Sequence, residues 1–207
     1  MRPSVRPPCG RRPRVGRIIV SANVSIDTVV EDPTGEEGTA HGGWFLRVHE
    51  TDRAARAELQ LEEARDATAL LFGRRGYEFF ASRWPQRDGA LADRLTDMPK
   101  YVISRTLRNP AWNRTTVLTG DAAAEVSALR DRTAGDILVY ASFQLVDELI
   151  LRRLVDEVRL LVHPVALGTG RRLFEPPADI PLLRAGVRQI GTNLVLLSYT
   201  PEGPARG

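Results

Sequence analysis

Val155-Asp-Glu-Val-Arg-Leu-Leu-Val-His-Pro-Val-Ala-Leu-Gly-Thr-Gly-Arg-Arg-Leu-Phe174 constrains the architecture of this 207-residue chain more than any other segment. An apolar, β-branched strand over Val158 to Val162 runs into Pro164 and then into a loop with glycines at 168 and 170, where no helix can follow. A strand-to-helix phosphate loop is therefore excluded at this point. Gly168-Thr169-Gly170-Arg171-Arg172 is likewise no dinucleotide fingerprint, because neither a third glycine nor a helix comes after it, and its expected job is to shape the loop. His163, alone on a buried strand pattern, is expected to pack rather than to catalyse.

Downstream, Leu182 to Ile190, Gly191-Thr192-Asn193 and Leu194 to Tyr199 read as a terminal hairpin. Upstream, strands and helices alternate. Arg17 to Val24 is a β-branched run suited to a buried first strand, and the Asp-Pro-Thr-Gly-Glu-Glu-Gly stretch after it predicts a long, mobile connection. A largely solvated helix is expected from about His49 to Asp66, then a strand over Ala67 to Phe72 and helical pieces over Arg74 to Arg83 and Leu91 to Asp97. Short strands follow at Tyr101 to Ile103 and Thr115 to Leu118, and Asp121 is placed to cap the next helix. Asp136 to Ala141 is read as a strand, Ser142 as the cap of a helix through Arg153, and Val158 to Val162 as the returning strand. This alternation predicts a mainly parallel sheet of the α/β class, made mixed by the hairpin.

Length allows one well-filled core, and 43% hydrophobic with 27% charged residues is ordinary for a globular domain. No apolar run approaches the roughly 18 residues of a membrane span. The net charge of +3 comes from the tail: residues 1–16 hold Arg2, Arg6, Arg11, Arg12 and Arg14 without an acid, leaving 24 basic against 26 acidic side chains. Nucleic acid and membrane are therefore not expected partners. Residues 1–16, broken by four prolines, are read as a disordered tail, 17–200 as one domain and 201–207 as a frayed end. Cys9 is the only cysteine and no His/Cys zinc pattern or nucleophile elbow is present, so neither disulfide, metal site, deamination nor serine-type hydrolysis is expected; a cytoplasmic location is the default.

Four strand ends carry the polar residues that could do chemistry. Ile19 to Asp27 places Asn23 and Asp27 after an apolar run, where both could meet polar substrate edges and Asp27 could instead bond its own loop backbone. In Leu70-Leu71-Phe72-Gly73-Arg74-Arg75-Gly76-Tyr77-Glu78, a glycine at a strand end lets the backbone approach an anion and the first helical turn adds unpaired N–H groups. Arg74 or Arg75 could instead pair with Glu78. Tyr101 to Leu107 ends in Ser104 and Arg105, a hydroxyl and a planar cationic fork. Ile137 to Val146 runs through Tyr140, Ala141 and Ser142 into Phe143, Gln144 and Leu145, whose amides open a helix.

In this order the four segments, with the closing one, resemble the reductase domain of bacterial riboflavin biosynthesis and its stand-alone relatives within the dihydrofolate reductase-like superfamily. The resemblance spans about residues 17–200 and implies a three-layer fold, with helices on both faces of the sheet. It implies substrate contacts at Asn23, Asp27 and Trp44, and phosphate contacts at Gly73 and Arg74. It further implies an adenosine 2'-phosphate at Ser104 and Arg105, hence NADPH, and a diphosphate against Tyr140, Ala141, Ser142, Phe143, Gln144 and Leu145. Three residues depart from the family pattern: Thr28 and Ala141 stand where relatives have glycine, and Gly76 where they have threonine. The Ala141 turn tolerates its methyl group if φ is negative. The implied activity is hydride transfer to a ribosylamino-pyrimidine or another small heteroaromatic substrate. A pterin reductase, with Glu50 or Asp52 as the acid on the first helix, and a non-catalytic dimeric binding protein remain as alternatives. The resemblance also implies a homodimer joined at the sheet edge, where the apolar run Leu194 to Leu197 would otherwise be exposed.

Overall fold

A computed structural model describes residues 15–174 and 179–202; the expectations for the rest of the N-terminal tail and C-terminal end lie outside the described residues. Eight strands form one sheet in the order β4-β3-β2-β5-β1-β6-β8-β7. They are β1 (Arg17–Ser25), β2 (Ala67–Gly73), β3 (Lys100–Ile103), β4 (Thr115–Leu118), β5 (Asp136–Val139), β6 (Glu157–His163), β7 (Leu182–Ile190) and β8 (Leu194–Pro201). The first six pair in parallel, and β8 and β7 return antiparallel, so the expected mixed sheet with a terminal hairpin is what forms.

Alternation along β1 sorts the two faces. Ile18, Val20, Ala22 and Val24 pack with Val126 and Leu129 of α4 (Ala122–Arg132) and Leu145, Val146 and Leu149 of α5 (Phe143–Leu151). Ile19 packs on the other face with Ala64 of α1 (Glu50–Asp66), Phe80 of α2 (Arg74–Ala81) and Leu95 of α3 (Ala90–Asp97). Ser21 and Asn23 share that second face by the period of two, so β1 presents polar groups beneath α1.

Several expectations change with the tertiary context. α1 is not simply solvated: Asp52 and Glu63 are buried beside Leu59 and Ala64. Asp52 accepts from the Thr192 N–H at 2.6 Å, the Asn193 N–H at 3.1 Å and Asn193 Nδ2 at 2.8 Å, stapling the helix to the hairpin turn. The turn needs Gly191, since a β-carbon there would lie 2.4 Å from Asp52 Oδ1 at a φ of +61°. The Leu194–Leu197 run is not an exposed edge either. β8 lies between β6 and β7, with Leu194 and Leu196 buried, and the edge belongs to β7, where Leu183 and Val187 are exposed.

The connection after β1 is organised rather than slack: buried Asp32 accepts the Glu37 and Thr39 N–H groups at 3.0 Å each and the Thr39 hydroxyl at 3.1 Å. Gly16 already belongs to the domain, its N–H donating to the Arg130 carbonyl at 2.9 Å. At the other end Pro201 pairs with Leu182, and the Glu202 N–H donates to the Pro181 carbonyl at 2.8 Å. Among the described residues, no helix is long and apolar enough to cross a membrane.

Candidate active site

β2 and β5 are neighbours, so the helices that follow them start side by side at one edge of the sheet. A cavity of about 320 Å³ opens there, walled by Gly73 to Gly76 and Phe79 on one side, Ala141 to Leu145 on another, and Val30 to Pro33, Glu37 and Arg171 opposite. Neither α2 nor α5 has a side-chain cap, which leaves the amide groups of both first turns free for an anion. Ser142 does not cap α5. Its hydroxyl turns back, accepting the Gly73 N–H at 3.0 Å and donating to the Tyr140 carbonyl at 2.8 Å, which ties the two strand ends together.

The junction leaves no room for a side chain on α2. A β-carbon at Gly76 would lie 2.4 Å from Ser142 Oγ and 2.5 Å from the Ala141 carbonyl oxygen, so the family's threonine could not fit without moving the turn. Ala141 takes a φ of +43°, not the negative value that would suit its methyl group, and β5 consequently ends at Val139. Thr28 likewise keeps a left-handed backbone, at +69°.

Among the residues expected to meet the cofactor, Gly73, Arg74, Ala141, Ser142, Phe143, Gln144 and Leu145 line this one cavity. Arg74 donates from Nε to Glu78 Oε1 at 2.8 Å and from Nη1 to Thr106 Oγ1 at 2.7 Å, joining the ends of β2 and β3. Ser104 accepts the Thr106 and Leu107 N–H groups at 3.2 and 3.0 Å, and Arg105 is exposed beside it. Tyr140 lies behind the turn, stacked on Phe80 at 5.9 Å, its hydroxyl donating to buried Glu63 at 3.0 Å. Burial pushes the Glu63 carboxyl up, against hydrogen bonds from Ser21 and Tyr140 and the charge of Arg159.

The three residues expected to meet substrate lie elsewhere. Asn23 Oδ1 is 3.1 Å from His163 Nε2, and the Trp44 ring meets the His163 ring edge-on at 5.3 Å while its Nε1 donates to the Glu31 carbonyl at 2.8 Å. His163 is fully buried and packed, as its strand pattern suggests. Asp27 accepts the Ser25 hydroxyl at 2.6 Å and the Leu167 and Gly168 N–H groups at 3.1 and 2.7 Å, which hold its carboxyl well below the usual range. It fastens the β1 turn to the loop after β6.

Two lining groups carried no recognisable sequence signal. Glu37 itself is not singled out by the sequence, although the connection that carries it is one that could border a site; burial and the charges of Asp32 and Glu31 raise its pKa, partly offset by Arg75. Arg171 belongs to the loop after β6, read as structural, and reaches the cavity only through long-range backbone pairing. Two uncapped helix starts and three lining arginines, Arg74, Arg75 and Arg171, together suit the diphosphate of a nicotinamide dinucleotide.

Comparison with known proteins gives the same architecture. The chain is 29% identical over 140 residues to the uncharacterized protein YyaP of Bacillus subtilis, covering 65% of this chain and 74% of that one. It superposes with a TM-score of 0.59 on a Thermotoga maritima diaminohydroxyphosphoribosylaminopyrimidine deaminase/5-amino-6-(5-phosphoribosylamino)uracil reductase, at 13% identity, covering 90% of this chain and 56% of that one. Dihydrofolate reductase from Enterococcus faecalis, solved with NADP(H), gives a TM-score of 0.55 at 12% identity, covering 90% of this chain and 97% of that one. With residues 17–196 matching the RibD C-terminal domain, the chain belongs to the RibD C-terminal domain family.

Proposed function

We propose that this protein is an NADPH-dependent reductase that delivers hydride to a heteroaromatic substrate of the ribosylamino-pyrimidine type. The observation that carries the reading is the cavity where two uncapped helix N-termini converge with Arg74, Arg75 and Arg171. Family membership and the shared fold of the riboflavin-pathway reductase and dihydrofolate reductase support it.

When bound, the dinucleotide supplies the hydride, and the chain's task is to align two flat partners and exclude water. The amides of Arg74 to Gly76 and Phe143 to Leu145 hold the diphosphate, and Ser142 fixes their spacing. Arg105, exposed at the end of β3, takes the 2'-phosphate that distinguishes NADPH. The 31–43 connection covers the cavity, braced internally by Asp32 and externally by the Glu36–Arg83 pair. Asn23, half-buried on the α1 side of β1, is the candidate that faces substrate, while Trp44 packs against its partner His163 and Asp27 fastens the β1 turn to the loop after β6. The buried acid Asp52 is fully engaged at the hairpin turn and Glu50 is exposed and paired with Arg53, which weighs against a pterin site built on either.

The test is a fluorescence titration with NADPH, followed by loss of reduced-nicotinamide absorbance on adding 5-amino-6-(5-phosphoribosylamino)uracil. Saturable binding with turnover supports the reading. Binding without turnover removes the substrate assignment, and absence of binding leaves a non-catalytic binding protein.

A further inference from the structure

We infer that Arg171 is a cofactor-binding residue whose guanidinium closes on the diphosphate from the wall opposite the two helix N-termini; the inference rests on the reductase reading above. The loop after β6 places this residue by pairing with the segment after β1. The Val30 N–H donates to the Arg171 carbonyl at 2.9 Å, Val29 bridges to Arg172, and the Leu173 N–H donates to the Thr28 carbonyl at 3.1 Å. Gly170 permits this close lie: its φ is +113°, and a β-carbon there would be 2.9 Å from Val29 Cγ1. The next side chain is thereby delivered into the cavity.

Once there, the guanidinium is held from one end. Nη2 donates to Asp147 Oδ2 of α5 at 2.5 Å, whereas Nε is buried and has no hydrogen-bond partner. The side chain nevertheless keeps 27% of its surface exposed in the cavity lining, so an anion there would meet the guanidinium at the edge that Asp147 leaves open. Arg74, the arginine that the sequence pattern favours for this task, is half-exposed and engaged with Glu78 and Thr106. Arg171 also shares its wall with Glu31, Asp32 and Glu37, whose charges would repel a diphosphate if no cation stood among them.

The diphosphate is common to NADH and NADPH, which separates this role from recognition of the 2'-phosphate. Arg171→Met should therefore weaken both dinucleotides by a similar factor, about tenfold to a hundredfold, measured by titrating each into the full-length protein. Arg171→Lys keeps a charge but lacks the planar fork that can hold Asp147 and a phosphate at once, and should lose roughly tenfold for both; it serves as the probe if the methionine variant does not fold. Wild-type affinity for both dinucleotides in a folded variant overturns the assignment, as does a loss confined to NADPH. If the wild-type protein binds neither, the reductase reading itself fails and takes this inference with it.

Discussion

His163 makes the protein's stability depend on pH in a calculable way. Its ring is fully buried between Trp44 and Phe45, and because Asn23 Oδ1 is an acceptor, Nε2 carries the hydrogen. Nδ1 then points a bare lone pair into a site with no hydrogen-bond partner. Protonation would put an unsatisfied N–H there, and a positive charge near Arg56. Burial first, and Arg56 second, lower the pKa from 6.5 to about 4. Since the folded value lies below the unfolded one, the unfolded chain takes up the proton first. Stability is therefore complete above the unfolded pKa and declines as pH falls toward the folded one. At about 1.36 kcal/mol per pH unit, the full window corresponds to about 3 kcal/mol, or roughly 6 to 12 °C in Tm for a chain of this size.

Urea unfolding of the wild type and His163→Gln between roughly pH 7 and pH 4.5 tests this. The raised carboxyls of Glu37 and Glu63 act in the opposite sense above the usual glutamate range, but they are common to both proteins and cancel in the difference. The wild type should lose about 2 to 3 kcal/mol more than the variant over that range. Parallel stability curves would show that His163 is not held neutral by its surroundings, and the packing argument would fall.

Arg105→Ala should weaken NADPH by about one to two decades while leaving NADH nearly unchanged; equal losses in parallel titrations would refute the 2'-phosphate assignment. Gly76→Ala should cost about 1 to 3 kcal/mol in urea unfolding and weaken both dinucleotides, because its methyl group meets the 141–142 backbone. Thr28→Gly should raise stability by about 1 kcal/mol, since a β-branched residue is released from a φ of +69°; a loss would mean that the threonine side chain contributes more than its strain. Sedimentation should give twice the 22.9 kDa chain mass, and Val187→Arg on the exposed edge strand should return it to the single-chain value.

Local patterns made most strands and helices legible, while their polar dependencies were not. Thr115–Leu118 falls at its expected bounds because three of its four residues are β-branched and loop residues flank it. β3 gains Lys100, whose Nζ is buried and donates to the carbonyls of Thr96 and Met98 at 2.8 Å and of Asn113 at 3.3 Å. Nothing local predicts a strand lysine that satisfies the end of the preceding helix. The sequence offers Asp52 only as a first-helix acid of the pterin alternative, and its hold on the hairpin turn is hidden because its partners lie 140 and 141 positions away. The same distance in sequence hid Arg171, whereas Gly73 and the Ala141–Leu145 turn were readable because each stands at its own strand end. The strand order was not legible, since alternation specifies parallel pairing but not which strands become neighbours.

Two of the three departures from the family pattern, Ala141 and Gly76, form a connected change, and Thr28 stands apart from them. Left-handed backbone costs a non-glycine residue about 1 to 2 kcal/mol, so Thr28 and Ala141 persist only where their surroundings impose the conformation. At Thr28 the surroundings are backbone: its N–H donates to the Ser25 carbonyl at 3.0 Å and its carbonyl accepts the Leu173 N–H at 3.1 Å. At Ala141 the next residue does it, because the Ser142 hydroxyl bridges Gly73 and Tyr140 and fixes the peptide between them. That peptide then stands where a side chain on the first turn of α2 would have to go, and Gly76 is the residue that leaves it room. A threonine at 76 could supply a hydroxyl to a phosphate only by pushing this turn away. On the function proposed here, an anion would instead be met by the amides of two closely apposed helices and by the arginines around them.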